Sequence, residues 1–413
     1  LESFSSRFAR VEARRNAGAL VLGLLADIGS KNCWTIAELS GHGTPDRLQH
    51  LLSRAKWDAD LVRDDVRSYV IDHLADPDAV LVVDETGDLK KGTNTVGVQR
   101  QYTGTAGRTE NCQVAVYLTY AAARGHTLID RALYLPQHTW ATDPQRRTKA
   151  GVPDTVEFAT KPALATTLVE AALDADVPAS WVAGDEVYGA DPNLRKALHN
   201  RQIGYVLAVG CNRQVPTAAG KIRVDALAEN LPPRSWHKMS AGAGSKGHRW
   251  YSWALIATTE RPDVGLCHVL VRRNDSSGEL AFYRCYSPAP VPLNQYVRVA
   301  GRRWTVEESF QSGKGLTGLD QHQVRTWTSW HRWITLVMAA HAFLAVHTAT
   351  ERLAQPSEPG LIRLSVNEFR KLFTILVLTP LHAIADPLRW SLWRRKHQYR
   401  ARQHHYQRRS QQQ

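Results

Sequence analysis

The chain has 413 residues, 43% hydrophobic and 22% charged, which gives room for two or three domains with a sizeable core and excludes a disordered or fibrous protein. With 52 Lys and Arg against 39 Asp and Glu, the formal net charge is +13 and the pI about 9.6, a balance that favours a polyanionic partner, nucleic acid first. The five cysteines (Cys33, Cys112, Cys211, Cys267, Cys285) are scattered without CxxC spacing, which argues against a zinc site or a disulfide framework and for a reducing cytoplasm.

Residues 1–76 read as a helical, DNA-binding domain. Thr44-Pro45-Asp46 is a helix start, a capping residue followed by proline at the first helical position, and Leu48, Leu51, Leu52 and Ala55 continue with helical spacing. Thr35–Ser40 reads as a short helix and Gly41-His42-Gly43 as a turn, compatible with a helix-turn-helix or with a plain bundle. The first residues lack a signal peptide's apolar stretch. The longest apolar run, around Ile334 to Val346, is interrupted by His341 and reads as a core helix, so no membrane span is expected.

From residue 78 the pattern turns to strands. Ala79–Val83 is a continuous apolar run, as in a strand buried on both faces, and Gln113–Tyr120 and Leu128–Leu135 follow as further strands. A helix over 158–176, a strand over Ser180–Gly184, a helix over Pro192–Asn200 and a strand over Tyr205–Val209 complete the series. Three strands, helix, strand, helix, strand is the order of an α/β, ribonuclease-H-like mixed sheet with flanking helices. The core is expected over 77–210, a β-rich insertion over 211–300 with strands at 248–257, 265–273 and 280–287, and the second part of the core over 301–350. Residues 351–413 read as C-terminal helices, one over Leu364–Leu378, and a basic tail carrying Arg394, Arg395 and Lys396 among interleaved aromatics.

Two of the apolar strands each deliver an aspartate, Asp84 and Asp185. Further on, Arg303, Glu307 and Lys314 fall within roughly 40° of one another on a helix at about 100° per residue. Two strand-borne aspartates and a helix-borne glutamate form a set of hard oxygen ligands suited to Mg²⁺, with Mn²⁺ as a substitute. The cations beside the glutamate suit a phosphodiester, arginine for bidentate contact and lysine as a point charge. Glu85, Asp88, Glu186 and Glu308 compete for the same roles; Glu308 points about 100° away from the Arg303 face, which favours Glu307. Lys246 and Arg249, after the glycine-rich Ala241–Ser245 stretch, are further candidate DNA contacts. Together these residues predict an enzyme that cuts and joins DNA.

The segments Val82-Val83-Asp84-Glu85-Thr86-Gly87 with Lys90-Lys91-Gly92, Val98-Gln99-Arg100-Gln101-Tyr102, Gly184-Asp185-Glu186-Val187-Tyr188-Gly189, and Trp304-Thr305-Val306-Glu307 through Gly318-Leu319-Asp320 and Val324-Arg325 carry a resemblance. The chain resembles DDE transposases of bacterial insertion sequences, specifically the insertion-sequence family numbered 701, over about residues 30–350. The resemblance implies a Mg²⁺-dependent triad on Asp84, Asp185 and Glu307, cleavage at element ends followed by strand transfer, and pairing of two ends by a homodimer on DNA. It places the protein in the bacterial cytoplasm, associated with the nucleoid. Related cut-and-paste transposases have a tyrosine–arginine–glutamate–lysine signature; Arg303, Glu307 and Lys314 match its last three members, and Ala300 stands at the tyrosine position. Two rival readings use the same residues: a domesticated, non-catalytic DNA-binding regulator, and a ribonuclease-H-like nuclease that cuts without joining.

Overall fold

The computed structural model of the protein describes residues 2–244, 247–260, 262–354 and 363–378. In chain order the elements are α1 (Val11–Leu25), α2 (Cys33–Leu39), α3 (Asp46–Ser53), α4 (Ala59–Leu74), β1 (Val80–Leu89), β2 (Gln99–Thr103), β3 (Arg108–Ala121), β4 (His126–Leu133), α5 (Pro144–Ala150), α6 (Lys161–Asp174), β5 (Trp181–Gly184), α7 (Glu186–Gly189), α8 (Pro192–Asn200) and β6 (Gly204–Val209). There follow β7 (Gln214–Thr217), β8 (Gly220–Arg223), α9 (Val224–Glu229), β9 (His237–Gly244), β10 (Gly247–Ala257), β11 (Leu266–Arg273), β12 (Leu280–Ser287), α10 (Leu293–Arg302), α11 (Trp304–Thr317), α12 (Trp327–Ala354) and α13 (Val366–Phe373). The chain divides into two compact units, Leu1–Asp65 with Ser312–Gln413, and Val66–Gln311.

The first unit is helical. Leu20, Leu24 and Leu25 of α1 and Leu48, Leu51 and Leu52 of α3 are buried, and both helices pack against α12. By length and composition α12 meets the requirement for a membrane span, but 83% of its most apolar window is buried inside the protein, the behaviour of a core helix. The expected cap at Thr44 does not form. Its hydroxyl donates to the Asp46 carboxylate, and Pro45 takes the cap position without a side-chain bond. Arg332 of α12 is buried, lies over the Trp57 ring and donates to the carbonyls of Ala55 and Trp57 at 2.6 and 2.7 Å. One guanidinium thus satisfies the loop that follows α3, where the chain has left its helix and its carbonyls have no partners of their own.

The second unit is built on one mixed sheet in the order β2-β3-β1-β5-β6-β12-β11-β10-β9, with β4 pairing β3. β1 pairs antiparallel with β3 and parallel with β5, and β5 pairs parallel with β6. Val80 to Val83 are fully buried, in accord with the continuous apolar run. The strands after residue 211 are joined to this same sheet: β12 pairs antiparallel with β6, and β11, β10 and β9 follow outward. Val209, Val215, Val224, Val269, Val271 and Phe282 form a core that spans the junction. The glycine-rich stretch before Lys246 is part of β9, paired with β10, where sequence gave no strand. β2, the β7–β8 hairpin and α10 were also unforeseen; α10 packs against β9 and β5.

Replacing Arg332 by Met keeps the apolar stem and deletes the donors. Leaving two buried carbonyls unsatisfied costs about 1–3 kcal/mol each, so the urea midpoint of Arg332→Met is expected to fall well below that of the wild type, and an unchanged midpoint would show that the loop finds other donors.

Candidate active site

The register between β1 and β5 decides where the aspartates go. Val83 pairs with Gly184 at the end of the parallel ladder, so Asp84 and Asp185 are the next residues on adjoining strands. The carboxyl ends of parallel strands are where α/β sheets place ligands. Asp84 continues along β1 in its antiparallel pairing with Tyr117 of β3, whereas Asp185 leaves the sheet and accepts a hydrogen bond from the Val187 amide at 2.8 Å, capping the short α7. The last residue of α7 is glycine because a Cβ at 189 would lie 1.9 Å from the Ala208 carbonyl oxygen of β6. This close approach holds Asp185 and its turn against the sheet.

Arg303 joins the helix acid to the strand acids. It sits between α10 and α11, its guanidinium 3.6 Å from Asp84 and 3.0 Å from Glu307. Asp84, Asp185, Glu307, Arg303 and Arg249 line one cleft of about 1050 Å³, with Glu186, Glu279, Arg272, Tyr283, Ala300 and Trp304 among its other walls. The Asp84 side chain retains 15% exposure. Burial, then the Asp185 charge, push Asp84 up to about 7, with Arg303 opposing and Glu85 adding to the rise. Asp185 is raised as well, first by burial and then by Glu85, while the Val187 amide and Arg303 resist the shift.

Three of the four competing acids are committed elsewhere, while Glu186 lines the cleft itself. Glu85 accepts from Lys161 at 2.7 Å and from the buried Tyr188 hydroxyl. Glu308 lies 3.3 Å from Nε2 of His126, which holds its carboxyl below the usual range, and Nδ1 of the same ring is 2.8 Å from the Ser309 hydroxyl. His126 therefore grips α11 at the two residues after Glu307. Asp88 is buried, with its interactions inside the protein. Lys161 and His126 carried no signal in the sequence, since each acts through an acid far away along the chain.

The remaining candidates divide. Arg249 lines the cleft, but it donates to the carbonyls of Ala241 and Gly301 at 2.9 and 3.1 Å, tying β9 to α10. The contact is so close that a Cβ on Gly301 would sit 2.0 Å from the Ala241 oxygen. Lys314 lies in the last turn of α11, which continues through Gly313 and Gly315 to Thr317, and it falls in the helical unit. Lys246, Arg394, Arg395 and Lys396 lie outside the described residues.

Asp84 and Asp185 are hard oxygen donors, partly withdrawn from water and mutually repulsive, and a divalent cation relieves such a pair. That chemistry fits. Among the described residues, no three His, Cys, Asp or Glu side chains converge on one point closely enough to hold an ion together, and Glu307 is turned to Arg303.

A family model described as DDE superfamily endonuclease matches residues 3–253, more than half of the chain, a span that includes Asp84 and Asp185 and ends before Glu307. The chain belongs to the DDE superfamily endonucleases. This DDE-family chain is 29% identical over 213 residues to a probable transposase for insertion sequence element IS701 of Microchaete diplosiphon, covering 51% of this chain and 53% of the relative. The chain therefore spans about half the length of that curated relative in the match. A solved cryo-electron-microscopy structure of piggyBac transposase in a synaptic complex with hairpin DNA gives a TM-score of 0.45 at 11% identity, over 91% of this chain and 73% of that one. A likeness at that level carries no argument about the DDE-family site.

The raised Asp84 sets a pH dependence in the metal-free protein. Its folded value of about 7 lies above the ordinary 3.8, so the folded state binds the extra proton between those limits. The stability this contributes is fully present below about 3.8 and is lost as pH rises toward 7. Asp84→Asn removes that loss. In chelator its melting temperature should gain on the wild type as pH rises through this window and stay level above it; a gain independent of pH would refute the shift.

Proposed function

We propose that this DDE-family protein is a transposase that cuts DNA at the ends of an insertion sequence and joins them to target DNA. The observation that carries the reading is the Arg303 guanidinium in contact with both Asp84 and Glu307, on a cleft that also holds Asp185. The succession of three strands, helix, strand, helix and strand in β1, β3, β4, α6, β5, α8 and β6 supports treating the sheet as ribonuclease-H-like, with 211–300 as its β-rich insertion. The similarity to a probable insertion-sequence transposase supports the substrate.

In this reading Asp84, Asp185 and Glu307 hold Mg²⁺, with Mn²⁺ able to replace it. Bound divalent ions supply Lewis-acid activation of the attacking oxygen and neutralise charge on the leaving oxygen. Arg303 moves from its carboxylate partners to a phosphate beside the scissile bond, and Lys314 supplies a second positive charge. A water oxygen bonds to phosphorus as the bond to the 3′ oxygen breaks, and that oxygen leaves as a 3′-hydroxyl. The freed hydroxyl oxygen then bonds to a target phosphorus as the target's own P–O3′ bond breaks, and the target 3′ oxygen leaves as a hydroxyl with the proton given up by the attacking one, so one phosphodiester replaces another. Lys246, Arg249, Arg394, Arg395, Lys396 and the N-terminal helices belong to the DNA-holding surface, and two copies pair the two ends.

A plasmid carrying the DNA that flanks the gene is the test. Wild type in Mg²⁺ or Mn²⁺ is expected to cut at the element ends and to give joined products, chelator to stop both, and Asp185→Asn to lower cleavage by at least about 1000-fold while DNA binding persists. Cuts without joined products would favour the nuclease, and binding without cuts in either ion would favour the regulator.

A further inference from the structure

On the far side of the sheet from the carboxylates, β6 and β12 pair so that Leu207 stands opposite Arg284 and Tyr205 opposite Tyr286. Successive residues of a strand face opposite sides. Tyr283 lines the cleft, so Arg284 and Tyr286 face away from it, toward α8. His199 of α8 agrees, since its ring stacks on Tyr205 and lies 4.3 Å from the Tyr286 ring. Arg195 stands one turn earlier on the same face of α8. The turn over 201–203 sends β6 back along this helix, so Arg195 lies toward Leu207 and Arg284. It donates to the carbonyls of Gly189 and Asp191 at 2.8 and 3.1 Å, which fixes its guanidinium beside the end of β6, where Gly189 meets Ala208. Arg284 donates to the Gln214 carbonyl at 2.7 Å, next to the exposed Arg213.

Three guanidinium groups thus gather at one strand end with little to oppose them. The Arg284 side chain retains 12% exposure, and its Nε is buried without a partner. The carboxylate paired with it, Glu260, stands 3.7 Å away, too far for a hydrogen bond. Asp191 is taken up as the cap of α8, accepting from the Asn193 and Leu194 amides at 2.7 and 3.0 Å. Among the described residues Arg195 has no carboxylate partner, and the Arg213 side chain makes no hydrogen bond or ion pair. Burial, then the Arg195 charge, hold Arg284 below the ordinary guanidinium range, with Glu260 and Tyr205 opposing and Arg213 adding to the fall. Like charges gathered at a half-buried edge cost stability, and a phosphate relieves them by accepting from several arginine forks at once. Gly210, Cys211 and Asn212 line the carboxylate cleft, and Arg213 is the next residue. A DNA backbone that leaves the cleft over this turn meets the three arginines on its other side.

We propose that Arg195, Arg213 and Arg284 form a phosphate site behind the 210–213 turn, which takes a backbone phosphate of the DNA as it leaves the cleft. This assignment rests on the DNA-processing reading above and adds a contact on the opposite face of the sheet from the acids.

The test is anisotropy of a fluorescent duplex carrying the DNA that flanks the gene, in chelator across a salt series. Chelator keeps cleavage out of the readout. Arg213→Gln comes first, because this side chain holds nothing in the fold. It should weaken binding about 5-fold and reduce the logarithmic salt slope by about 0.9, the value of one phosphate contact on a duplex. Arg284→Lys keeps the charge and loses the fork, so it should keep the slope and lose about threefold in affinity. Arg201→Gln is the control: it removes the same charge from the other end of α8 and should leave both values unchanged. Wild-type affinity and slope in Arg213→Gln would overturn the site, as would an equal loss in Arg201→Gln. Melting in inorganic phosphate against chloride at equal ionic strength separates the two sources of phosphate. A rise in the wild type that Arg213→Gln loses, with duplex binding intact, would overturn the DNA assignment in favour of a free anion. A wild type that does not bind the duplex would instead sink the DNA reading itself.

Discussion

Two neighbouring carboxylates with too little water around them are the constraint on which the rest of the sheet unit turns. The parallel ladder between β1 and β5 stops at Val83 and Gly184, and whatever residues come next must share the strand ends. In this chain both are aspartates. Their repulsion is tolerated because Arg303 supplies positive charge from the start of α11, and the same guanidinium brings Glu307 to the cleft. Strand register, helix entry and charge are therefore one arrangement, and a shift of any one would scatter the other two.

Around this centre, a second set of contacts draws two neighbouring acids away, whereas Glu186 stays on the cleft wall. Glu85 is adjacent to Asp84 in sequence and would compete with it, but Lys161 and Tyr188 hold it. Glu308 is adjacent to Glu307, and His126 holds it. At Asp84/Glu85 and Glu307/Glu308 the neighbouring acids are thus distinguished by the partners that hold Glu85 and Glu308. Such pairs cost little where both charges are satisfied, and leaving one of them single would be expensive.

Much of this was legible in the sequence, and the reasons are local. The continuous apolar run Ala79–Val83 and the short apolar segment Trp181–Gly184 read as the two central strands, with Asp84 and Asp185 just beyond them. The i, i+4 spacing of Arg303 and Glu307 gave the ion pair that the structure contains. The 100° turn between Glu307 and Glu308 separated the residue on the cleft from the residue held by His126. What sequence missed was non-local. β9 runs through alternating glycine and alanine, which have no intrinsic strand preference, and it forms because β10 lies beside it. Arg249 read as a candidate DNA contact, and sequence carried no sign that it also donates to the backbone of Ala241 and Gly301.

The continuity of the sheet has a consequence for how the protein comes into being. Asp84 and Asp185 are joined through β1 and β5, but α10 and α11 follow β12, and β12 reaches the core only by pairing with β6. The helix that carries Glu307 cannot be set against the aspartates until the chain has traversed β9, β10, β11 and β12 and returned. These are pairings of high sequence separation, the slow class in folding. During synthesis the growing chain thus carries two strand acids for a long interval without the third. A fragment released early, by truncation or proteolysis within 211–300, would retain both aspartates and lack Glu307 and Arg303. The order of elements thus makes the complete acid set the last part of the sheet unit to be assembled.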